Sequence, residues 1–387
     1  MIRRPPRSTQ SRSSAASDVY KRQVITYTAD LGQGDISEDL EEKAKHLGAN
    51  KVIVEDLTEE FISQYVFPMF RCNTIFEGEY LLGTAIARPL IAKKLVEIGK
   101  LEGTNIICHG ATGKGNDQIR FEIGAHALNK NIKVIAPWRE WDMVSRTDLM
   151  SYCKTHQIPM PASKAEEPPF SMDENLLHIS YEGGVLEDLK NSPPEEMWLN
   201  TKSLEKASET SEEVSIEFSE GDPIAINNKK LPPAEIFRTL NTIGSKHGIG
   251  RIDIVESRVT GMKSRGCYET PGGTILLKTR RAMESLCLSG KEIKAKDNLI
   301  PEYAALIYEG LWWSNKRLEI QDKVNSISKK VSGKVSVKLY KGNIISVSKE
   351  SLNSLYDENK VSFEEQGGFS NEDMQSHIEK NILDFDN

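Results

Sequence analysis

The chain has 387 residues, of which 38% are hydrophobic and 28% are charged, and its formal net charge is −7. This length exceeds what one hydrophobic core usually serves, so two folded units and a tail are expected. The acidic balance disfavours a general nucleic-acid-binding protein, and no apolar run approaches the ~20 residues that span a bilayer. Five scattered cysteines, none in a Cys-x-x-Cys pair, indicate reduced thiols in a cytoplasmic protein and predict no protein-bound metal.

The first 23 residues, MIRRPPRSTQSRSSAASDVYKRQ, are rich in Arg and Ser and nearly free of acidic residues. This composition is compatible with a transit peptide. However, the segment lacks the apolar stripe of such peptides and stops abruptly where a strand is already under way. We therefore interpret residues 1–23 as an artefactual or disordered segment and leave it out of the predicted fold.

From residue 24 onward, short β-branched runs alternate with amphipathic stretches, which predicts an α/β domain with a parallel sheet. Strands are predicted at residues 24–28, 51–54, 105–108 and 133–136, and helices at residues 35–48, 82–99 and 118–129. Prolines then accumulate between residues 158 and 170, where the periodicity disappears. This change places the end of the first domain, residues 24–160.

The second domain, predicted at residues 161–355, shows paired strand signals at 214–218 and 223–226 around a turn, which indicates an antiparallel, α+β arrangement. Helices are predicted at 233–246, 274–286 and 302–324, and strands at 334–339 and 343–347. Trp312 and Trp313, within the last helix, are interpreted as core or subunit contacts rather than ligand-stacking residues. The polar residues 356–387 are expected to form an oligomerisation arm or a tail.

A glycine-rich loop, HGATGKGND at residues 109–117, connects a predicted strand to a predicted helix. Glycines let backbone amides approach an anion, and a helix N-terminus adds partial positive charge. The loop is neither a Walker A motif nor a dinucleotide fingerprint, and its glycines alone fit a tight turn equally well. Thr112, Lys114, Asn116, Asp117 and Arg120 nevertheless supply five kinds of polar group where α/β sheets bind ligands. The loop is therefore a candidate ligand site.

Six separated motifs, taken together, resemble those of the argininosuccinate synthases. Beside the glycine loop they are YLLGT with ARP (80–89), SMDEN (171–175), HISYE (178–182), GRIDIVE (250–256) and GMKSRGCYETP (261–271). They occur in the family's order, and the likeness spans residues 24–355. The resemblance implies a nucleotide-binding domain of the PP-loop ATP pyrophosphatase type, with its first strand missing, followed by a synthetase and multimerisation domain.

The same resemblance implies ATP-dependent ligation of citrulline and aspartate to argininosuccinate, with release of AMP and pyrophosphate and with Mg²⁺. This reaction belongs to arginine biosynthesis and the urea cycle, and the family implies a homotetramer. Roles carried over by matched motif give ATP binding to Ala29 and Gly110, aspartate binding to Thr112, Asn116 and Asp117, and citrulline binding to Tyr80, Thr84, Asn116, Arg120, Ser171, Ser180, Glu256 and Tyr268.

Each of these residues also has a purely structural interpretation. Ser171 and Asp173 could cap a helix, because Ser and Asp are favoured at that position. Tyr80 and Tyr268 could be half-buried packing residues, and Glu256 could be a surface charge.

Two departures from the family's pattern affect the expected activity. Ala85 stands where family members often have Ser after Thr84, so one hydrogen bond to citrulline is either absent or supplied by Thr84 itself. The family also begins with a strand and a Ser-Gly-Gly-x-Asp-Thr-Ser loop that binds the pyrophosphate of ATP, and this sequence contains no such loop. We therefore expect the chain as written to be inactive.

Two other functions compete with this interpretation. A different ATP-pyrophosphatase relative should show a glutaminase domain or a catalytic cysteine pair, and the sequence shows neither. A non-catalytic paralogue that binds citrulline, aspartate or partner subunits would combine intact ligand motifs with a missing phosphate loop.

Overall fold

The computed structural model describes residues 23–34, 39–111, 115–143, 146–158, 170–361 and 371–385. The predicted artefactual segment, apart from Gln23, therefore lies outside the described residues, and so do Thr112, Lys114 and most of the predicted domain connection. The proposed domain boundaries stay predictions.

Four short strands of the first half pair in parallel. The strand β1 (Ile25–Asp30) pairs with β2 (Lys51–Asp56), and β3 (Ile106–Cys108) pairs with β4 (Lys133–Ile135). All four overlap predicted strands. Within the described residues, however, they form two separate two-stranded sheets rather than the single parallel sheet that was expected.

The helices of this half are α1 (Leu40–His46), α2 (Gly83–Leu101), α3 (Asp117–Leu128) and α4 (Arg146–Thr155), with a short helix at Pro137–Glu140. The long helix α2 packs closely on α3. At Gly124 of α3 the helices are so close that an added Cβ would lie 3.2 Å from the Cβ of Ala92 on α2. The pattern did not predict three consecutive helical pieces, Thr58–Phe61, Ile62–Val66 and Phe67–Arg71. They bury Phe61, Ile62 and Val66 completely, while Glu59 and Gln64 are exposed.

A four-stranded antiparallel sheet opens the second half, with the strand order β10-β11-β6-β5. Its strands are β5 (Ser171–Glu174), β6 (Ile179–Glu182), β10 (Arg251–Ser257) and β11 (Lys263–Glu269). None of them was predicted as a strand, although four of the six family-like motifs lie on this sheet or at its edges.

A second antiparallel sheet has the strand order β13-β12-β7-β8-β9. Its strands are β7 (Glu212–Ser219), β8 (Asp222–Ile226), β9 (Lys229–Lys230), β12 (Gly333–Tyr340) and β13 (Asn343–Glu350). The predicted antiparallel pair at 214–226 is confirmed. The helices α5 (Pro233–Lys246) and α6 (Pro271–Cys287) pack on each other, and α7 (Gly290–Asp297) follows them.

The predicted helix over residues 302–324 is wrong, because the chain forms two helices there, α8 (Ile300–Tyr308) and α9 (Asn315–Ser328). Gly310 has a φ of +82°, which ends α8, and the Ser314 hydroxyl caps α9 by accepting a hydrogen bond from the backbone N–H of Arg317. Trp312 lies in the break, buried, with its ring 5.3 Å from that of Tyr65. Its interpretation as a core residue is confirmed. The remaining helices are Glu358–Val361 and α10 (Asn371–Phe385).

One hydrophobic cluster extends through both halves of the chain. It joins Phe61 and Leu82 of the first half to Phe237, Tyr308 and Val337 of the second. No helix among the described residues is both long and apolar enough to cross a membrane. The same residues include no group of three or more His, Cys, Asp or Glu side chains arranged to hold a metal ion.

Candidate functional site

Most of the predicted site residues meet in one polar cluster. They come from the starts of α2 and α3, from β6, β10 and β11, and from the end of α8. Seven of the eight predicted citrulline residues and two of the three predicted aspartate residues belong to it by direct hydrogen bonds or ring stacking: Tyr80, Thr84, Asn116, Asp117, Arg120, Ser180, Glu256 and Tyr268. We call these residues, with Arg88, His178 and Tyr308, the polar cluster.

Asp117, at the start of α3, lies between the buried Arg120 and the largely buried Arg88. Its Oδ2 is 2.6 Å from a guanidinium nitrogen of Arg88, and its Oδ1 accepts a 3.0 Å hydrogen bond from Arg120. Burial alone would raise the pKa of Asp117, but the two guanidinium groups outweigh burial and lower the pKa below its usual value. The carboxylate is therefore a stable anion between two cations.

Glu256 on β10 is held by two tyrosine hydroxyls. Tyr268 donates to its Oε2 at 3.0 Å, and Tyr308 donates to its Oε1 at 2.9 Å. The residue is only 7% exposed, so its interpretation as a surface charge is wrong. Burial raises the pKa of Glu256, although both tyrosines and Arg120 oppose this shift by favouring the charged form.

The rings of Tyr80 and Tyr268 stack with 4.3 Å between their centroids and 18° between their planes. Both side chains are almost completely buried, so they are more enclosed than the half-buried packing interpretation expected. Burial, as the largest cause, raises the pKa of both phenols, which therefore keep their protons at neutral pH. A protonated phenol beside Glu256 can donate a hydrogen bond but cannot act as an anion.

Thr84 links the start of α2 to strand β6. Its hydroxyl lies 2.9 Å from Nε2 of His178 and 3.4 Å from the hydroxyl of Ser180. Burial and the nearby Arg88 lower the pKa of His178 to about 3, so the imidazole is neutral at physiological pH. Gly83 is required here, because a Cβ at this position would come within 2.3 Å of the His178 ring.

Ser171 and Asp173 lie on strand β5, so their interpretation as a helix cap is wrong. Asp173 has a carboxylate oxygen 3.3 Å from Arg88, which connects it to the polar cluster. Ser171 is exposed at the start of β5 and pairs in register with Glu182. The structure therefore places Ser171 on the same sheet as Ser180 but at its outer edge.

The two residues predicted to approach ATP lie near the carboxyl ends of parallel strands. Ala29 is the penultimate residue of β1, and its carbonyl accepts a 2.8 Å hydrogen bond from Gln33. Gly110 is exposed two residues beyond the end of β3. The preceding residue, His109, is buried and accepts a hydrogen bond from the backbone N–H of Ala111 at 3.3 Å, which shapes the start of the loop.

Three members of the polar cluster were not predicted as site residues. Arg88 lies within the ARP motif and His178 begins the HISYE motif, so both motifs carried a signal that could have identified them. Tyr308 lies in no motif. Its hydrogen-bond partners Asn116 and Glu256 are distant in sequence, and only the folded structure shows that the three residues meet.

Comparison with known proteins gives two matching family models. Residues 13–159 match the Arginosuccinate synthase N-terminal HUP domain, and residues 170–386 match the Arginosuccinate synthase C-terminal domain. The chain is similar to proteins named argininosuccinate synthase from Ectopseudomonas mendocina (53% identity over 367 residues) and Helicobacter hepaticus (55% identity over 370 residues). Each alignment covers 95% of this chain and 91% of the relative.

Proposed function

The chain belongs to the argininosuccinate synthase family, and we propose that its polar cluster is a site for the ligation of citrulline to aspartate with ATP, a reaction that releases AMP and pyrophosphate. In this reaction the ureido oxygen of citrulline attacks the α-phosphorus of ATP, and the amine of aspartate then displaces AMP from the activated carbon. Such catalysis depends on positioning and charge stabilisation rather than on a protein nucleophile. The polar cluster supports the proposal because it holds buried groups of both charge signs, as two amino-acid ligands require.

The citrulline half of the proposed site consists of Glu256, Tyr268, Tyr80, Thr84 and Ser180. The fixed Glu256 carboxylate suits the α-ammonium group of citrulline, since a charge-assisted hydrogen bond is stronger than a neutral one. Thr84 takes over the hydrogen bond that a serine at position 85 would make, because its hydroxyl already faces Ser180. Ser171 would complete this half from the outer edge of the sheet.

The aspartate half consists of Asn116 and Asp117, together with Thr112, which lies outside the described residues. Asn116 offers an amide donor, and Asp117 offers an acceptor for the amine of the substrate. Arg120 contacts Asp117 and also lies against Tyr308, so it stands between the two halves. Its guanidinium suits the carboxylate of citrulline.

ATP is assigned to the region of Ala29 and Gly110. Mg²⁺ enters the proposal only as the counter-ion of the ATP phosphates, because the described residues contain no metal-binding group of three side chains. A cytoplasmic location in arginine biosynthesis agrees with the reaction.

A test of the proposed function is calorimetric titration of citrulline into the full 387-residue chain, with ornithine as the matched control ligand. Ornithine has the same α-amino and carboxyl groups but carries an ammonium group in place of the ureido group. We expect saturable binding of one citrulline per chain and at least tenfold weaker binding of ornithine. Equal affinities, or no binding of citrulline at millimolar concentration, would contradict the proposal.

We also propose that a polypeptide of the printed sequence does not turn over ATP. The sequence contains no Ser-Gly-Gly-x-Asp-Thr-Ser loop. The test is to sequence the 5′ end of the native gene and to express two polypeptides, one with the native N-terminus and one with the printed sequence. Argininosuccinate formation by the printed sequence itself would refute it.

The non-catalytic paralogue is the second candidate function. The observation in its favour is the combination of an intact polar cluster with the missing phosphate loop. If the native gene encodes residues 1–23 continuously with residue 24, and the chain binds citrulline without forming argininosuccinate, the paralogue is correct. An upstream phosphate loop in the native reading frame would favour the enzyme.

A homotetramer is proposed with α10 as a contact between subunits. Met374, Ile378 and Ile382 are each about half exposed and recur every four residues, so they form one apolar stripe along the helix. Light scattering of the purified chain should give the mass of four subunits, and Ile378→Asp should lower it. A monomeric chain would contradict this assembly.

A further inference from the structure

Tyr308, the last residue of α8, contacts three of the residues that the proposed function assigns to substrates. Its hydroxyl donates a 2.9 Å hydrogen bond to Oε1 of Glu256 and accepts a 3.0 Å hydrogen bond from Nδ2 of Asn116. Its backbone carbonyl accepts a 2.8 Å hydrogen bond from Nε of Arg120. One residue therefore connects the proposed citrulline half to the proposed aspartate half.

The position of the Tyr308 ring is fixed on both faces. The ring stacks on Phe76 with 3.9 Å between centroids and 3° between planes, and the Arg120 guanidinium lies 4.9 Å from the ring centroid. The side chain is only 1% exposed. Gly310 allows this close approach, because a Cβ there would come within 2.8 Å of the Cα of Arg120. The hydroxyl therefore has little freedom to move away from its two partners.

We propose that Tyr308 is a positioning residue that aligns the Glu256 carboxylate with the Asn116 amide, so that citrulline and aspartate are held in register for the ligation. This inference rests on the proposed function of the polar cluster. It adds a residue that none of the family-like motifs contains.

The direction of the hydrogen bonds supports this role. A phenol has one proton to donate, and Tyr308 gives it to Glu256 because the carboxylate can only accept. The lone pairs of the phenol are then left for Asn116, whose own Oδ1 accepts a 3.3 Å hydrogen bond from the backbone N–H of Val259. The Asn116 amide is thereby fixed in one orientation, with its nitrogen toward the cluster. Both substrate-facing groups therefore share the Tyr308 hydroxyl as a hydrogen-bond partner.

The variant Tyr308→Phe tests the proposal, because it removes the hydroxyl and keeps the ring, the stacking on Phe76 and the backbone carbonyl. Tyr303→Phe is the matched control. Tyr303 lies on the same helix, is equally buried, and donates its hydroxyl hydrogen bond to Gln321 outside the polar cluster. Both variants lose one buried phenol hydroxyl, so a general loss of stability should affect them similarly.

The measurement is calorimetric titration of citrulline, and separately of aspartate, into the full chain and both variants. We expect Tyr308→Phe to weaken citrulline binding about tenfold, since a lost hydrogen bond to a charged group has roughly this effect. Aspartate binding should weaken a few-fold, and Tyr303→Phe should leave both affinities within twofold. Thermal unfolding of both variants shows whether each is folded at the temperature of the titration.

The pH dependence of binding separates positioning from simple packing. Several groups act on the pKa of Glu256. Burial, the largest influence, and Glu182 raise this pKa, whereas Tyr308, Tyr268 and Arg120 lower it. Removing the Tyr308 hydroxyl should therefore raise this pKa further. As the solution is made more acidic, Tyr308→Phe should therefore lose citrulline binding at a higher pH than the unsubstituted chain does. Tyr303→Phe should lose binding at the same pH as the unsubstituted chain.

Two results would overturn the inference. One is equal citrulline affinity in Tyr308→Phe and in the unsubstituted chain. The other is an equal loss in both variants with no change in the pH profile, which would make Tyr308 a packing residue. If the unsubstituted chain binds neither citrulline nor aspartate, the proposed function itself fails, and this result is distinct from both.

Discussion

Replacing Asp117 with asparagine removes the negative charge between two arginines and keeps the size of the side chain. Arg88 and Arg120 are both largely buried, and their guanidinium groups lie 2.6 Å and 3.0 Å from the carboxylate oxygens. An asparagine amide would also place a donor against one of these donors. We therefore expect Asp117→Asn to destabilise the fold and to abolish aspartate binding.

The expected loss of stability follows from the burial of the three charges. Removing one partner of a buried ion pair typically costs about 3 to 5 kcal/mol. The Asp117 side chain is 24% exposed, and Asp173 remains 3.3 Å from Arg88, so the lower end of this range applies. A decrease of about 3 kcal/mol in the free energy of unfolding is expected at neutral pH.

The stability difference between the unsubstituted chain and Asp117→Asn should also depend on pH, and the sign of this dependence follows from the pKa of Asp117. The pKa of Asp117 is lower in the folded chain than in the unfolded chain, where a normal Asp titrates near ~3.9. The carboxylate therefore contributes its full stability above the unfolded pKa and loses it as the pH falls through the folded pKa. The gap in stability between the unsubstituted chain and Asp117→Asn should stay constant down to about pH 5 and shrink below it.

Urea unfolding at a series of pH values, together with calorimetric titration of aspartate, measures both effects. Asp253→Asn is the matched control, because Asp253 makes a bidentate ion pair with Arg265 but lies outside the polar cluster and is more exposed. The control should lose less stability and keep its affinity for aspartate. An Asp117→Asn chain with unchanged stability and unchanged aspartate binding would refute the reasoning.

Three further predictions concern other buried groups. Glu284→Ala should lower the free energy of unfolding by about 3 to 5 kcal/mol, because it leaves the fully buried Arg280 and Lys296 without their shared carboxylate. Urea titration measures this loss, and a loss below about 1 kcal/mol would contradict the prediction. The His178 ring protons should show no NMR titration between pH 5 and 8, since its pKa is lowered to about 3, whereas a step near pH 6.5 would show that the ring is accessible. Gly83→Ala should displace His178 and weaken citrulline binding at least tenfold by calorimetry, and unchanged affinity would show that the ring can move without cost.

Much of the fold could be predicted from local signals in the sequence. The helix α5 was predicted with the bounds Pro233–Lys246 that the structure shows, because a proline begins it and a clear apolar face runs along it. The pair β7 and β8 was predicted from two β-rich runs around a turn. In both cases the pattern and the packing favour the same structure.

The sheet that carries Glu256, Tyr268 and Ser180 could not be predicted in the same way. Its strands β5 and β6 have four residues each; no residue of β5 is buried, and β6 buries only Ile179 and Tyr181. Such short segments carry too little of the alternating pattern to be recognised as strands. The motifs identified these residues through the family resemblance, whereas the strand pattern did not.

The break between α8 and α9 was missed for a different reason. Apolar residues continue through Leu311, Trp312 and Trp313, so the helical pattern runs on through the break. The left-handed conformation of Gly310 and the packing of the following chain on Tyr65 are tertiary effects. Because Tyr308 ends α8 at this break, its role in the site could not be predicted from local sequence.

The most direct test of the proposed site is a crystal structure of the full chain soaked with citrulline and aspartate. We expect the α-ammonium group of citrulline within hydrogen-bonding distance of Glu256 and the amine of aspartate within the same distance of Asp117, with Tyr308 between the two halves. Citrulline and aspartate bound elsewhere on the chain, with the polar cluster left without either ligand, would contradict the assignment of this cluster as the ligation site.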